Sequence, residues 1–144
     1  MKKNILSVIA LISVAVISCA NPKNETQTNS ANVQVEQVTM TNVGVTDLNM
    51  AIQNQEDIII LDVRTAGEIA EGFVENAAKV DVNDQGFDEG VSFLDKSKPV
   101  FVYCRSGHRS QIASKKLLKM GFTDVRNVEG GFMAWQQAGY PVSK

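Results

Sequence analysis

One short stretch concentrates the reactive side chains of this chain. It reads Cys104-Arg105-Ser106-Gly107-His108-Arg109, with two guanidinium groups and the only histidine within five residues of one thiol. The thiolate is the nucleophilic form of cysteine, and neighbouring cations lower its pKa below the ordinary ~8.5. Gly107 admits positive φ or a close approach to a ligand, and successive N–H groups turned inward make an anion nest. These residue types at this spacing fit an anionic sulfur nucleophile acting on an anionic substrate.

Other roles for Cys104 are weaker. Free cysteine is often a buried packing residue, but the flanking arginines and glycine argue for reactivity. A metal site needs several cysteine or histidine ligands, and the chain holds two cysteines and one histidine. His108 is either a general base for Cys104 or an exposed loop side chain that tunes access. The inward-pointing loop amides favour the second role.

A nucleophile needs a scaffold, and from about Met40 strand and helix signals alternate. "TNVGVTDLNMAIQNQ" reads as a short strand and a helix capped by Thr46, with Asp47 in its first turn. "DIIILDVR" is a continuous β-branched run, the pattern of a strand buried on both faces. "TAGEIAEG" reads as a short helix ending at Gly72, "AAKVDV" as a weaker strand and "DEGVSFLDK" as a helix. "KPVFVYC" is a second buried strand, and "SQIASKKLLKMG" a helix stopped by Gly121. "TDVRNVEG" and "GFMAWQQAG" supply a last strand and helix, with Phe132, Met133 and Trp135 expected in the core. This order predicts an α/β domain with a central, mainly parallel sheet flanked by helices on both faces. Ligands in such sheets bind beyond the strand C-termini, which is where Cys104 falls.

The N-terminus has a different character. Two lysines precede an apolar run from Ile5 to Ser18. That run is shorter than the ~20 residues of a spanning helix and matches a secretory signal segment over 1–18. Val16-Ile17-Ser18-Cys19 resembles the lipobox of bacterial lipoproteins. The resemblance implies cleavage before Cys19, lipidation of its thiol, and an exported domain anchored to a cell-envelope membrane on the periplasmic side. Residues 19–38 are rich in Asn, Thr, Ser and Gln and read as a flexible tether, leaving 39–144 as the folded domain. With Cys19 lipidated, Cys104 has no intrachain disulfide partner. The net charge of −2 comes with no clustered basic face, which argues against nucleic-acid binding.

Three segments resemble a single-domain rhodanese, a sulfurtransferase domain, over about Asp57 to Val142: "IIILDVRTAGEIAEG", "VFVYCRSGHRS" and "NVEGGFMAWQQAGYPV". The resemblance implies a rhodanese-like fold and a persulfide-forming nucleophile at Cys104. Arg105, Ser106, Gly107, His108 and Arg109 would form the cradle for sulfur and substrate, and Arg109 would close the loop and hold the donor's oxyanion. Asp62 and Arg64 would support the loop, while Gly130, Gly131 and Trp135 would be structural. From the residues themselves, Arg64 is read as an ion-pair partner of Glu68 or Asp62, and Asp62 as a candidate helix cap. The family's usual Gly-His-Ile-x-Gly-Ala stands here as "GFVENA", with Phe73 and Val74 in place of His and Ile and Asn76 in place of a glycine. Altered packing is expected there, and the turn at Asn76 is the doubtful point.

The implied activity moves sulfane sulfur from a small anionic donor, such as thiosulfate or polysulfide, to a thiol, cyanide or protein acceptor, by a monomer needing no cofactor. The alternatives are a non-catalytic sulfur-carrier or binding lipoprotein, and a phosphatase or arsenate reductase of the same fold. The latter carry one more residue between cysteine and arginine than the four that separate Cys104 from Arg109.

Overall fold

A computed structural model describes residues 39–144. The expected signal segment and tether, with Cys19, lie outside the described residues. The elements run β1 (Thr41–Val43), α1 (Val45–Gln53), β2 (Ile59–Asp62), α2 (Ala66–Ala70), β3 (Ala78–Lys79), α3 (Phe87–Gly90), β4 (Val100–Tyr103), α4 (His108–Lys119), β5 (Val125–Val128) and α5 (Gly131–Gln137). The five strands form one sheet in the order β1-β5-β4-β2-β3, and every pairing is parallel.

Alternation along the central strand builds two cores. Val100 and Val102 of β4 pack with Phe87, Val91, Ala113 and Leu117, on the face covered by α3 and α4. Phe101 and Tyr103 pack with Leu48, Ala51, Phe132 and Trp135, on the face covered by α1 and α5. The period of two along a strand separates these sets, and each fully buried apolar side chain contributes ~1.5–3 kcal/mol. The continuous apolar runs of β2 and β4 follow from having helices on both faces.

Four sequence expectations change. The α1 cap is Gly44 and not Thr46: the Asp47 carboxylate accepts the Gly44 N–H at 2.7 Å, so the helix begins earlier. The helix expected over "DEGVSFLDK" is the single turn α3; the chain then runs through turns that leave Phe93 79% exposed. The strand at "AAKVDV" shortens to two residues at the sheet edge. Met133 is 43% exposed, because it lies between the two inward positions of α5, Phe132 and Trp135.

The doubtful turn is formed. Asn76 has φ 61°, in the left-handed region that asparagine tolerates better than most residues. The Phe73 backbone forms an antiparallel bridge to Ser143, and the Lys79 ammonium sits 3.2 Å from the centre of its ring.

Candidate active site

The loop from Cys104 to Arg109 joins the C-terminal end of the central strand to the N-terminus of α4. Gly107 caps α4 with φ 103°, a conformation that suits glycine, and its N–H points at Cys104 Sγ over 3.2 Å. Ser106 and Ser110 also favour the charged form of the sulfur, while the Ser110 hydroxyl itself lies 2.9 Å from the Gly107 carbonyl and 2.6 Å from Asn127 Oδ1. Burial pushes the thiol pKa up, but these residues outweigh it and hold Cys104 below the ordinary thiol range. Cys104 itself is 1% exposed, seated under the loop.

The loop is fixed from its other side by α5. Phe132 N–H donates to the Cys104 carbonyl at 2.8 Å, and Met133 N–H donates to the Arg105 carbonyl at 3.0 Å. With the carbonyls held outward, the loop amides are free to face the sulfur. This contact explains Gly131, where a Cβ would overlap the Cys104 carbonyl oxygen.

Beside the loop lies a buried polar cluster. Arg64 donates to both Asp62 carboxylate oxygens, at 2.9 and 2.6 Å, and to the Gly72 carbonyl at 2.7 Å. Its guanidinium carbon lies 4.0 Å from the centre of the Phe132 ring. The Tyr103 hydroxyl donates to Asp62 Oδ2 at 2.6 Å and accepts from Val74 N–H at 3.1 Å. Burial, reinforced by the Asp62 charge, raises the tyrosine pKa far above its usual value. Asp62 therefore anchors Arg64 and Tyr103; it does not cap α2, a task done by the Thr65 hydroxyl.

Arg109 takes the partner considered for Arg64. Its two terminal nitrogens donate to the Glu68 carboxylate oxygens at 2.8 and 2.6 Å. Arg64 reaches only the Glu68 backbone carbonyl, at 3.4 Å. Glu68 also accepts from the Thr65 N–H and hydroxyl. The Arg109 hydrogen bonds first, then those from Thr65, lower its pKa to about 2 against the opposing effect of burial. Arg109 thus ties the start of α4 to α2. Its charge acts on Cys104 from there, while both terminal nitrogens are engaged by Glu68.

Arg105 contrasts with it. It is exposed, forms no ion pair among the described residues, and lines a cleft of about 320 Å³ with Glu68, Glu71, Phe132 and Met133. Ser106 and His108 are exposed, and no hydrogen bond joins the His108 ring to Cys104 among the described residues. The sequence reading missed two site residues, Glu68 as the partner of Arg109 and Ser110, buried behind the loop and bonded to the Gly107 carbonyl. The Thr65-x-x-Glu68 capping pattern was a signal that the Glu68 side chain folds back towards the strand end.

A buried thiol in an amide cradle at the end of a central parallel strand, with an arginine closing the loop after four intervening residues, defines a cysteine-dependent anion-loop domain on a five-stranded sheet. The chain belongs to the rhodanese-like domain family, whose model matches residues 45–138. That match starts at α1, before the first of the three resembling segments. A sulfurtransferase of Allochromatium vinosum is 34% identical over 95 residues, covering 66% of this chain and 87% of that one. The thiosulfate sulfurtransferase GlpE of Coxiella burnetii is 37% identical over 89 residues, covering 62% and 80%. A rhodanese-related protein of Thermoplasma volcanium superposes with a TM-score of 0.63 at 30% identity, covering 72% of this chain and 97% of that one.

Proposed function

We propose that this chain is a sulfurtransferase that carries sulfane sulfur as a persulfide on Cys104. The observation that carries the reading is the buried Cys104 thiol at the end of β4, facing the Gly107 N–H at 3.2 Å inside a loop that Arg109 closes. The names of the relatives support the same class. With thiosulfate as donor, the Cys104 thiolate attacks the outer sulfur. The Sγ–S bond forms, the bond to the sulfite sulfur breaks, and its electron pair leaves with sulfite. An acceptor thiolate, cyanide or protein thiol then attacks the outer sulfur and returns the Cys104 thiolate. The cycle is covalent and uses no cofactor. The loop amides, the N-terminus of α4 and the two arginines offset the repulsion between thiolate and anionic donor.

The test is the intact mass of the full chain after incubation with thiosulfate, polysulfide or a low-molecular-weight persulfide. One added sulfur is expected, removable by cyanide and absent in Cys104→Ser. No added sulfur from any of the three overturns the reading and leaves a binding module. Phosphate release from an aryl phosphate that disappears in Cys104→Ser would move the chain to the phosphatase branch, which the four-residue spacing to Arg109 disfavours.

The placement proposed for this activity is the outer side of a cell-envelope membrane, through lipid on Cys19. Diacylation supplies the two chains that stable anchoring requires. Detergent partitioning of the full chain against Cys19→Ala tests it, and identical partitioning into the aqueous phase sinks it.

A further inference from the structure

Asn127 is a polar residue in an apolar place. It stands on β5, fully buried, on the face where Val125 packs with Ala113 and Leu117 of α4. A buried amide is costly unless it is hydrogen-bonded, and both ends of this one are engaged. Nδ2 donates to Asn42 Oδ1 at 3.0 Å, and Oδ1 lies 2.6 Å from Ser110 Oγ. Asn42 is the register partner of Asn127 in the β1–β5 pairing, which puts both side chains on one face of the sheet. Ser110, also fully buried, sits in the first turn of α4 with its hydroxyl 2.9 Å from the Gly107 carbonyl. A hydroxyl has one proton, so its hold on that carbonyl depends on where the Asn127 oxygen stands. Gly107 points its N–H at Cys104 Sγ over 3.2 Å. It also backs onto the β5–α5 turn, where a Cβ on it would lie 3.4 Å from the Gly130 nitrogen. The contacts thus form one line from an edge strand to the sulfur: Asn42, Asn127, Ser110, Gly107, Cys104.

We propose that Asn42, on the edge strand β1, is a positioning residue for the Cys104 loop, acting through Asn127 and Ser110 on Gly107. The inference rests on the reading of Cys104 as the sulfur-carrying nucleophile and names a residue far outside the loop that prepares it. β1 lies before residue 45, where the family match begins. It is paired on one side only, with β5, and its Val43 carbonyl accepts the Glu129 N–H at 2.9 Å, just past the end of β5. β1 therefore holds, by backbone and by side chain, the strand end on which Gly107 rests. With the Asn42 oxygen in place, the Asn127 amide keeps Oδ1 turned to Ser110. Without it, Nδ2 is a buried donor lacking a partner, and the amide turns to recover one. The hydroxyl and the Gly107 peptide then follow. Gly107 has φ 103° and no Cβ of its own to restrict it, so its conformation depends on such contacts. A displaced Gly107 N–H takes a hydrogen bond from the thiolate and lowers the thiolate fraction. The charged groups around Cys104 are Arg105 and His108, Arg109 with Glu68 of α2 and Asp81 facing it, and Asp62 with Arg64 at the end of β2. All keep their identity in the variants below.

The experiment compares full-length wild type with Asn42→Leu and Asn42→Asp, each also made on Ser110→Ala. Leucine keeps the shape of asparagine without its oxygen, and aspartate keeps an oxygen for Asn127 Nδ2. Asn42 is an exposed residue, so these changes leave the core intact. The readout is the pH dependence of iodoacetamide alkylation at Cys104, followed by peptide mass spectrometry. Asn42→Leu is expected to move the midpoint up by about 0.5 unit, or about threefold in thiolate fraction below the midpoint. Single-turnover loading by thiosulfate should slow about threefold over the same pH range. Asn42→Asp should stay within about 0.2 unit of wild type. Its added negative charge would by itself push the midpoint up, so a wild-type value there reports the restored hydrogen bond. On Ser110→Ala the difference between leucine and aspartate should vanish, because the path runs through Ser110; general loosening of the sheet edge would survive in that background. A leucine midpoint within about 0.2 unit of wild type, equal shifts for leucine and aspartate, or a difference that survives Ser110→Ala overturns the proposal. If Ser110→Ala does not fold, the leucine–aspartate pair decides alone. Alkylation needs no sulfur donor, so failure of thiosulfate to load wild type would remove the sulfurtransferase reading while the midpoints still judge the role of Asn42.

Discussion

Two arginine–carboxylate pairs brace the active-site region, and they are built on opposite terms. Arg64 and Asp62 are 3% and 0% exposed and are roofed by Phe132. Arg109 and Glu68 are 24% and 27% exposed and sit where solvent reaches them. Both are bidentate by geometry. The difference lies in what surrounds them. In the first pair water cannot replace a lost partner, so the pair is part of the frame. In the second water can, so the pair is a strut whose main product is the placement of charge and loop. An ion pair's geometry alone does not reveal its contribution; its dielectric surroundings do.

The largest effect expected from this contrast is on stability. Asp62→Ala leaves a buried guanidinium uncompensated and the Tyr103 hydroxyl without its acceptor. A loss of ~3–5 kcal/mol is expected in urea unfolding at neutral pH. Glu68→Ala removes an equally well-formed pair and should cost about 1 kcal/mol or less. Equal losses would break the comparison and show that burial does not separate the two.

How much of this was legible beforehand depends on the signal each feature leaves in the chain. The β2 and β4 runs were plain, since strands covered on both faces are apolar at every position. The loop was plain because Cys104, Gly107 and Arg109 carry their chemistry in their identity. The α1 cap was misplaced because backbone capping by Gly44, supported by Asp47, leaves only a glycine as its mark, while Thr46 offered a hydroxyl. The α3 helix was overextended because Phe93 implies a buried helical position that the tertiary structure does not provide. The Arg109–Glu68 pair joins residues 41 positions apart, and Ser110 meets Asn127 across 17. Such contacts follow from strand order, which local patterns do not encode.

The next effect in size concerns rate. Arg109→Ala removes both the strut to α2 and the charge that acts on Cys104. Loading by thiosulfate should fall ~10²-fold, by analogy with loss of one anion-stabilising donor, with little change in unfolding midpoint. Arg105→Ala removes an exposed cation from the cleft wall. It should raise the KM for thiosulfate about threefold at low ionic strength, and the difference should shrink as salt screens it. If Arg105→Ala is the more damaging of the two, the donor is held from the cleft and not by the loop's end.

The smallest effect is the one that isolates charge in the exposed pair. Glu68 has its pKa lowered to about 2, with Arg109 as the first cause, against ~4.3 for an unfolded glutamate. A carboxylate depressed on folding contributes stability that is complete above its unfolded pKa and is lost as pH falls through the folded one. Glu68→Gln keeps the size of the side chain and an acceptor oxygen for Thr65, but not the charge. At neutral pH it should be less stable than wild type by about 0.5–1 kcal/mol, far below a literal conversion of the shift, because the side chain is 27% exposed and water screens the pair. The gap should narrow below about pH 4.5 and close towards pH 2, where wild-type Glu68 is itself neutralised. Urea midpoints of the two proteins at neutral pH and at about pH 3 test this. A gap of the same size at both values would mean that the substituted amide fails as a hydrogen-bonding shape, not for want of charge. The strut would then owe its strength to hydrogen-bond geometry and not to charge.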